Sequence, residues 1–272
     1  MPPTQEEWNK FYNEFAHKYE TQSAGVTKAL GVQLLSLLPP ITTNSILHDN
    51  ACGPGIITTS IHTECTKAST EPPRIFATDF SRGMVDALQD IIDTHKLKSV
   101  TAQVMDGSDL SPFEDNKFTH SITNFGIFAF PDAVAGVKHI HRTLKPGGVA
   151  AISTWKHPGN IFFVNQVLQE LAPGLGEWFP VKEWLKEARL RNTLEEGGFR
   201  KEQIDILERE TKWNIDDFEA TVELFNGAFF DQAKVGLTEA QKDSWEDAVR
   251  KVLKARNGKG IDMAAWLAVA TK

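Results

Sequence analysis

Short apolar segments alternate with helical patterns between Ser45 and Thr154, and this alternation restricts the possible folds more than any other feature. The apolar segments have strand length and are Ser45–Asp49, Arg74–Thr78, Ser99–Met105, Phe118–Asn124 and Gly148–Thr154. Helical patterns lie between most of them, at Ile56–Cys65, Ser81–Thr94 and Asp132–Leu144. Strands that alternate with helices predict an α/β fold, a doubly wound parallel sheet with right-handed crossovers.

The segments outside this alternation are expected to be mostly helical. Apolar and aromatic residues at helical spacing from Trp8 to Leu38 predict one or two helices, which Pro39 ends. After Trp155 we predict an aromatic-rich helical insertion, a strand, two helices and a final strand. Their ranges are His157–Gly198, Gln203–Arg209, 216–234, 238–255 and 261–270.

A turn of small residues, HDNACGPG from His48 to Gly55, follows the first predicted strand and opens a predicted helix. Ligands of open α/β sheets bind at the carboxyl ends of strands, where small residues let the backbone approach them closely. The spacing lacks the third glycine of a dinucleotide motif, and Pro54 removes an N–H that could bind phosphate. The turn therefore favours a nucleoside ligand without pyrophosphate, the alternative being a simple strand–helix turn.

Two aspartates end the next two predicted strands. Asp79 can accept hydrogen bonds from both hydroxyls of a ribose, or it can be a turn residue beside the helix cap Ser81. Asp106 can accept from an adenine amino group with Phe80 and Met105 against the ring, although Asp-Gly is also a common turn pair. One nucleoside lying across three neighbouring strand ends would account for all of these features.

The motifs DNACGPG, TDFSRGM, MDG, NFGIFAFPD, LKPGG and STWK resemble the class I S-adenosylmethionine-dependent methyltransferases. They are most similar to fungal small-molecule methyltransferases of the gliotoxin bis-thiomethyltransferase type, and the similarity runs from about Ser45 to Trp155. It implies a Rossmann-like sheet of seven strands with the last strand antiparallel, and S-adenosyl-L-methionine as cofactor. Ala51 departs from the pattern, because many relatives have glycine there.

The resemblance also implies roles for individual residues. Asp49 and the Asn50–Gly55 turn would hold the methionine part, Asp79 the ribose and Asp106 the adenine, with Asn124 and Phe125 beside the reactive methyl group. The complete set of expected cofactor-binding residues is Asp49, Asn50, Ala51, Gly53, Gly55, Asp79, Phe80, Met84, Asp106, Gly107 and Asn124.

We expect one domain over residues 1–272: a helical lid at 1–40, a cofactor-binding core at 41–155, and substrate-lid insertions with the terminal strands at 156–272. Aromatic residues are dense in the lid segments, which favours a small apolar or aromatic acceptor. Phe125, Phe128 and Trp155 are the expected acceptor-binding residues. The sequence leaves the acceptor atom open among oxygen, nitrogen and sulfur.

Methyl transfer depends mainly on alignment, and a general base helps only an acceptor that arrives protonated. His157, after the fifth strand, and His17, on the opening helix, are the two candidate bases. Cys52 and Cys65 do not form a metal-binding set, so no metal is expected.

The chain carries a net charge of −7, which disfavours nucleic acid as a partner. Its apolar runs are shorter than the roughly 18 residues of a membrane-spanning helix. With an opening segment unlike a leader, these features predict a cytosolic protein. The oligomeric state cannot be inferred.

Three other functions are alternatives to methyl transfer. A protein of this fold could bind the cofactor and catalyse a rearrangement without methylation. A non-catalytic interaction module is disfavoured because Asp49, Gly53, Gly55, Asp79 and Asp106 are all present. The glycine spacing argues against a nicotinamide dehydrogenase.

Overall fold

The computed structural model describes residues 4–272, and a seven-stranded sheet lies at its centre. The strands are β1 (Ile46–Asn50), β2 (Arg74–Asp79), β3 (Val100–Val104), β4 (Phe118–Asn124), β5 (Leu144–His157), β6 (Ile204–Trp213) and β7 (Ile261–Thr271). Their order is β3-β2-β1-β4-β5-β7-β6, and β7 is antiparallel to both of its neighbours. The prediction of a doubly wound sheet with an antiparallel last strand is confirmed.

Eleven α-helices within residues 4–272 surround the sheet. They are α1 (Gln5–Phe15), α2 (Tyr19–Gln22), α3 (Val26–Leu35), α4 (Ile56–Ala68), α5 (Arg82–His95), α6 (Ala133–Thr143), α7 (Gly159–Leu171), α8 (Glu187–Glu196), α9 (Phe218–Asn226), α10 (Glu239–Asp243) and α11 (Trp245–Ala255). None of these helices is long and apolar enough to cross a membrane.

The opening segment is more broken than predicted. In place of one or two helices it forms α1, α2 and α3, with a 3₁₀ turn at Ala16–Lys18. Ala24 and Gly25 both have left-handed backbone, with φ of 47° and 68°, which interrupts the helix before α3. This break lets α1 turn back over the carboxyl edge of the sheet.

The core lies on both faces of the sheet, as the alternation of side chains along β5 shows. Ala150 and Ile152 pack with α6 and α8, whereas Ala151 faces the larger cluster around α3, α4, α7 and α11. The sheet is therefore covered on both sides, and its carboxyl edge is the place left for a ligand.

Candidate active site

An open cleft of about 690 Å³, the strand-end cleft, lies beside the ends of β1, β2, β3 and β4. Residues of α1, α2 and α3 complete its wall, among them Gln5, Tyr12 and Thr27. Nine of the eleven expected cofactor-binding residues line it: Asp49, Ala51, Gly53, Asp79, Phe80, Met84, Asp106, Gly107 and Asn124.

The other two expected residues support the cleft from behind. Asn50 is fully buried, and its Nδ2 donates to the carbonyl of Gly107 at 3.2 Å, which joins the turns after β1 and β3. Gly55 begins α4 with a left-handed φ of 91°, and a Cβ there would lie 2.4 Å from Leu88 Cδ1. Neither residue lines the cleft, and both shape the turn; their contact with the cofactor stays a prediction.

Ala51 carries a methyl group in the turn after β1, and Gly126 makes room for it. Ala51 has a left-handed φ of 54°, which is unfavourable for a residue with a Cβ. A Cβ on Gly126 would lie 2.4 Å from the Ala51 Cβ. The turn after β1 and the turn after β4 thus pack closely together because residue 126 has no side chain.

Asp49 is a buried carboxylate in which only one of the two oxygens accepts hydrogen bonds from the protein. Its Oδ2 accepts from the Thr58 N–H at 3.1 Å and from the Thr58 hydroxyl at 2.7 Å. Its Oδ1 is buried without a protein partner, and burial raises the pKa of the carboxyl to about 7. An unpaired carboxylate oxygen in the cleft wall is the group that a ligand ammonium would satisfy.

Asp79 connects two turns at the edge of the cleft. Its Oδ2 accepts from the Gly53 N–H and its Oδ1 from the Ser81 N–H, both at 2.9 Å. Burial raises the pKa of Asp79 to about 6, and these two backbone donors oppose the rise. Each carboxylate oxygen has a further lone pair, so Asp79 can still accept from the hydroxyls of a sugar.

Asp106 closes a turn and lines the cleft at the same time. Its Oδ1 accepts from the N–H and from the hydroxyl of Ser108, both at 2.8 Å. Within the protein, Asp106 therefore acts as the turn residue that the common Asp-Gly pair predicts. Because Asp106 also lines the strand-end cleft, a ligand contact remains open to it.

A second space of about 980 Å³, the aromatic cavity, adjoins the cleft. The three expected acceptor-binding residues Phe125, Phe128 and Trp155 line it. Its other aromatic residues are Trp8, Phe11, Tyr12, Tyr19, Trp178, Trp213 and Phe229. Not every aromatic residue of the lid segments contributes, because Phe163, Phe225 and Phe230 are buried in the core.

Phe125 stands between the two spaces and lines both of them. Its backbone is left-handed, with φ of 56°, and its ring stacks on Trp155 with centroids 4.1 Å apart. The Phe125 N–H donates to Ser153 Oγ at 2.9 Å, and that hydroxyl donates to Asn124 Oδ1 at 2.8 Å. These hydrogen bonds fix the Phe125 backbone, and stacking on Trp155 fixes its ring at the junction of the cleft and the cavity.

The two candidate bases lie outside both spaces. His17 is exposed in the 3₁₀ turn after α1, and His157 stacks on Phe162 with centroids 4.3 Å apart. The ionisable residues lining the aromatic cavity are Glu7, Tyr12 and Tyr19. Burial raises the pKa of Tyr19 to about 12 and that of Tyr12 well above its usual value, so both remain protonated donors.

Tyr12 and Tyr19 were not among the expected site residues, although both line the cleft and the cavity. They reach the site because α1 is fixed to the turn after β2. Asn13 Oδ1 accepts from the Gly83 N–H at 2.6 Å and from Ser81 Oγ at 3.0 Å. The two tyrosines are the only ones in the chain, and their grouping in the opening segment was a signal available in the sequence.

Comparison with known proteins finds similarity to methyltransferases. Residues 48–148 match a family model described as a methyltransferase domain. Methyltransferase tpcH of Aspergillus fumigatus is 26% identical over 182 residues, and the match spans 64% of each chain. Methyltransferase ktnA of Aspergillus niger is 22% identical over 253 residues, 83% of this chain and 82% of that one.

A similar fold occurs in the solved structure of the [4+2]-cyclase SpnF, with a TM-score of 0.59 and 16% identity. The superposition covers 99% of this chain and 97% of that one. At this identity the likeness shows the fold alone. The family match over residues 48–148 and the named relatives support a class I S-adenosylmethionine-dependent methyltransferase with S-adenosyl-L-methionine as its cofactor.

Proposed function

We propose that the chain transfers a methyl group to an oxygen, nitrogen or sulfur atom of a small, uncharged, apolar or aromatic acceptor. The observation that carries this proposal is the junction of the strand-end cleft with the aromatic cavity at Phe125. In this assignment residues 41–155 supply most of the cofactor-binding cleft. The segments 1–40 and 156–272 supply most of the acceptor cavity, which Phe125, Phe128 and Trp155 of the core complete.

The cleft offers a suitable partner for each part of S-adenosyl-L-methionine. Asp49 would receive the amino group on its unpaired Oδ1, and Asp79 would accept from the ribose hydroxyls. Asp106 and Phe80 would contact the adenine, with Asn124 beside the cavity. When bound, the cofactor supplies a methyl group on a positively charged sulfur, which is already electrophilic.

The protein's own contribution is to align the acceptor and to exclude water. Phe125, fixed by Ser153 and stacked on Trp155, would hold an acceptor ring at the cleft. Alignment of two reactants in this way can lower a barrier by about 7–11 kcal/mol. Because His17 and His157 lie outside the cavity and the tyrosines remain protonated, the proton of the acceptor must pass to water or to Glu7, the one carboxylate in the cavity lining.

The aromatic cavity discriminates by charge. Among its lining residues there is no lysine, arginine or histidine, and Glu7 is its one carboxylate. An anionic group on the acceptor would be desolvated there without a counter-charge, which is strongly unfavourable. Ring faces suit a neutral aromatic system, so we propose a neutral aromatic secondary metabolite as the acceptor, methylated in the cytosol.

The test is methyl transfer from labelled S-adenosyl-L-methionine to matched pairs of acceptors. Phenols, thiophenols and N-heterocycles would each be compared with the carboxylated analogue of the same ring. We expect label on neutral members and at least tenfold less on their carboxylated partners. Equal labelling of both members would contradict the charge argument, and no labelling of any member would contradict methyl transfer.

A second candidate function is a rearrangement of a bound substrate without methylation. The apolar lining of the aromatic cavity, which contains no histidine or lysine, could promote a pericyclic step. The structurally similar SpnF is described as a [4+2]-cyclase. Cofactor binding without label transfer, together with isomerisation of a polyene substrate, would support this candidate over the first.

A further inference from the structure

A surface groove of about 1380 Å³, the outer groove, continues the aromatic cavity outwards. Six residues line both spaces: Trp8, Phe128, Trp178, Pro180, Val181 and Gln232. We infer that the outer groove binds an uncharged, apolar extension of the acceptor, while the ring to be methylated lies in the aromatic cavity. This inference rests on the proposed function and specifies its substrate as an elongated molecule.

The chemistry of the outer groove matches such an extension. Ten of its fifteen lining residues are apolar, and six of those ten are aromatic. The charges at Glu177 and Lys182 face each other at 4.0 Å, and the Lys182 ammonium also lies 5.8 Å from the centroid of the Phe179 ring. The Lys182 ammonium therefore already has partners. The ten apolar residues form the larger part of the groove lining, beside the charged Glu177, Lys182 and Glu183.

The wall of the outer groove is held in place before any ligand binds. Residues 172–186, which connect α7 to α8, form much of this wall. Asn165, buried in α7, exchanges two hydrogen bonds with the backbone of Trp178, at 2.7 and 3.0 Å. At the far end, Trp266 Nε1 donates to the carbonyl of Leu185 at 2.9 Å.

These anchors lie at the two ends of the wall, so the segment between them has a defined path. Because this wall is already ordered, binding of a ligand costs little conformational entropy on the protein side. Phe179 and Pro131 line the outer groove but not the aromatic cavity. They can therefore be changed without altering the lining of the cavity that would hold the ring.

The test uses 4-alkylphenols with chains from methyl to octyl, with S-adenosylhomocysteine present to prevent turnover. Tryptophan fluorescence reports binding, since Trp8, Trp155, Trp178 and Trp213 line the aromatic cavity. In the unaltered protein we expect affinity to keep rising from the short to the long alkyl chains. Each added methylene should raise it by up to roughly fourfold, which is the effect of burying a methylene completely. In Phe179→Asp and Pro131→Asp the gain should stop at short chains, with 4-methylphenol bound within about twofold of the unaltered protein.

Pro131 is exposed, so Pro131→Asp is the variant that should fold without difficulty. Val32→Asp, on the exposed face of α3, is the matched control and should retain the full chain-length dependence. Identical chain-length dependence in all variants would overturn the inference, as would no gain beyond short chains in the unaltered protein. If no phenol binds and no methyl group is transferred, the proposed function fails as well, whereas a failure confined to long chains rejects the outer groove alone.

Discussion

The backbone N–H of Gly53 donates a 2.9 Å hydrogen bond to the Asp79 carboxylate, which joins the turn after β1 to the end of β2. The second carboxylate oxygen accepts from Ser81, the N-cap residue of α5. Asp79 therefore organises the cleft besides offering lone pairs to a ligand. Removal of its side chain should affect both the ligand contact and the shape of the turn.

We expect Asp79→Ala to weaken S-adenosyl-L-methionine binding at least tenfold, which corresponds to about 1.4 kcal/mol. The loss has two sources, the missing acceptor for the ribose hydroxyls and the two backbone N–H groups left without their partner. Isothermal titration calorimetry measures it directly. Asp86→Ala, on the exposed face of α5, is the control and should bind normally; unchanged affinity in Asp79→Ala would remove the ribose assignment.

Asp49→Asn should stabilise the ligand-free protein at neutral and alkaline pH. Burial raises the pKa of Asp49 from 3.8 to about 7, so its contribution to stability is complete below pH 3.8 and is lost as the pH rises to 7. Asparagine stays neutral, which avoids a loss of at most about 4 kcal/mol. Thermal melting of both proteins at about pH 5 and about pH 8 checks this: the advantage of the Asp49→Asn variant should grow with pH, and a constant difference would contradict it.

Cofactor affinity should rise with pH between about 5 and 8. The amino group and sulfonium of the cofactor favour ionised Asp49 and Asp79, whose pKa values are raised to about 7 and about 6 in the free protein. Binding near pH 6 should therefore release protons, and affinity should gain at most about tenfold per pH unit for each carboxyl that ionises. Calorimetry in buffers of different ionisation enthalpy detects the released protons, and Asp49→Asn should show fewer; equal proton release would place the ammonium elsewhere.

Gly126→Ala should disrupt the cleft, and Ala51→Gly should restore it. The new methyl group at position 126 would lie 2.4 Å from the Ala51 Cβ, so one of the two turns must move. Removal of the Ala51 methyl frees that space and also relieves a left-handed alanine. Melting temperature and cofactor Kd of both single variants and the double variant form a complete cycle. Additive effects in this cycle would show that the two turns do not press on each other.

Much of the sheet could be predicted from the sequence because its strands are short apolar runs that end at turns. β4 occupies the predicted range 118–124 without change. β6 extends to Trp213, four residues beyond the prediction, because the charged residues of an edge strand conceal its pattern. β5 begins at Leu144 and not at Gly148, since pairing of Leu144 with Phe118 extends the strand through the Lys145–Gly148 turn motif.

The site could be predicted only where local sequence determines it. The turn after β1 and the strand-end aspartates are local motifs, and most of the expected residues there do line the cleft. Tyr12 and Tyr19 were missed because their position depends on hydrogen bonds between segments about 70 residues apart. His157 looked suitable by its place after the fifth strand, yet its ring stacks on Phe162 of α7 and lines neither space.

Asn13→Ala should loosen the attachment of α1 and weaken cofactor binding. The Asn13 side chain accepts from the Gly83 N–H and the Ser81 hydroxyl, and Asn9 Nδ2 donates to the Phe80 carbonyl at 3.2 Å. At about 1 kcal/mol for each of the two Asn13 bonds, we expect Kd to rise roughly tenfold or more through faster dissociation. Stopped-flow fluorescence measures that rate.

Because α1 contributes Tyr12 to both spaces, its release should expose the cleft without unfolding the sheet. The melting temperature of Asn13→Ala should therefore stay near that of the unaltered protein, while trypsin cleavage after Lys10 and Lys18 should accelerate. Asn44→Ala, in an exposed turn before β1, should change neither dissociation nor cleavage. Dissociation as slow in Asn13→Ala as in this control would show that α1 does not retain the cofactor.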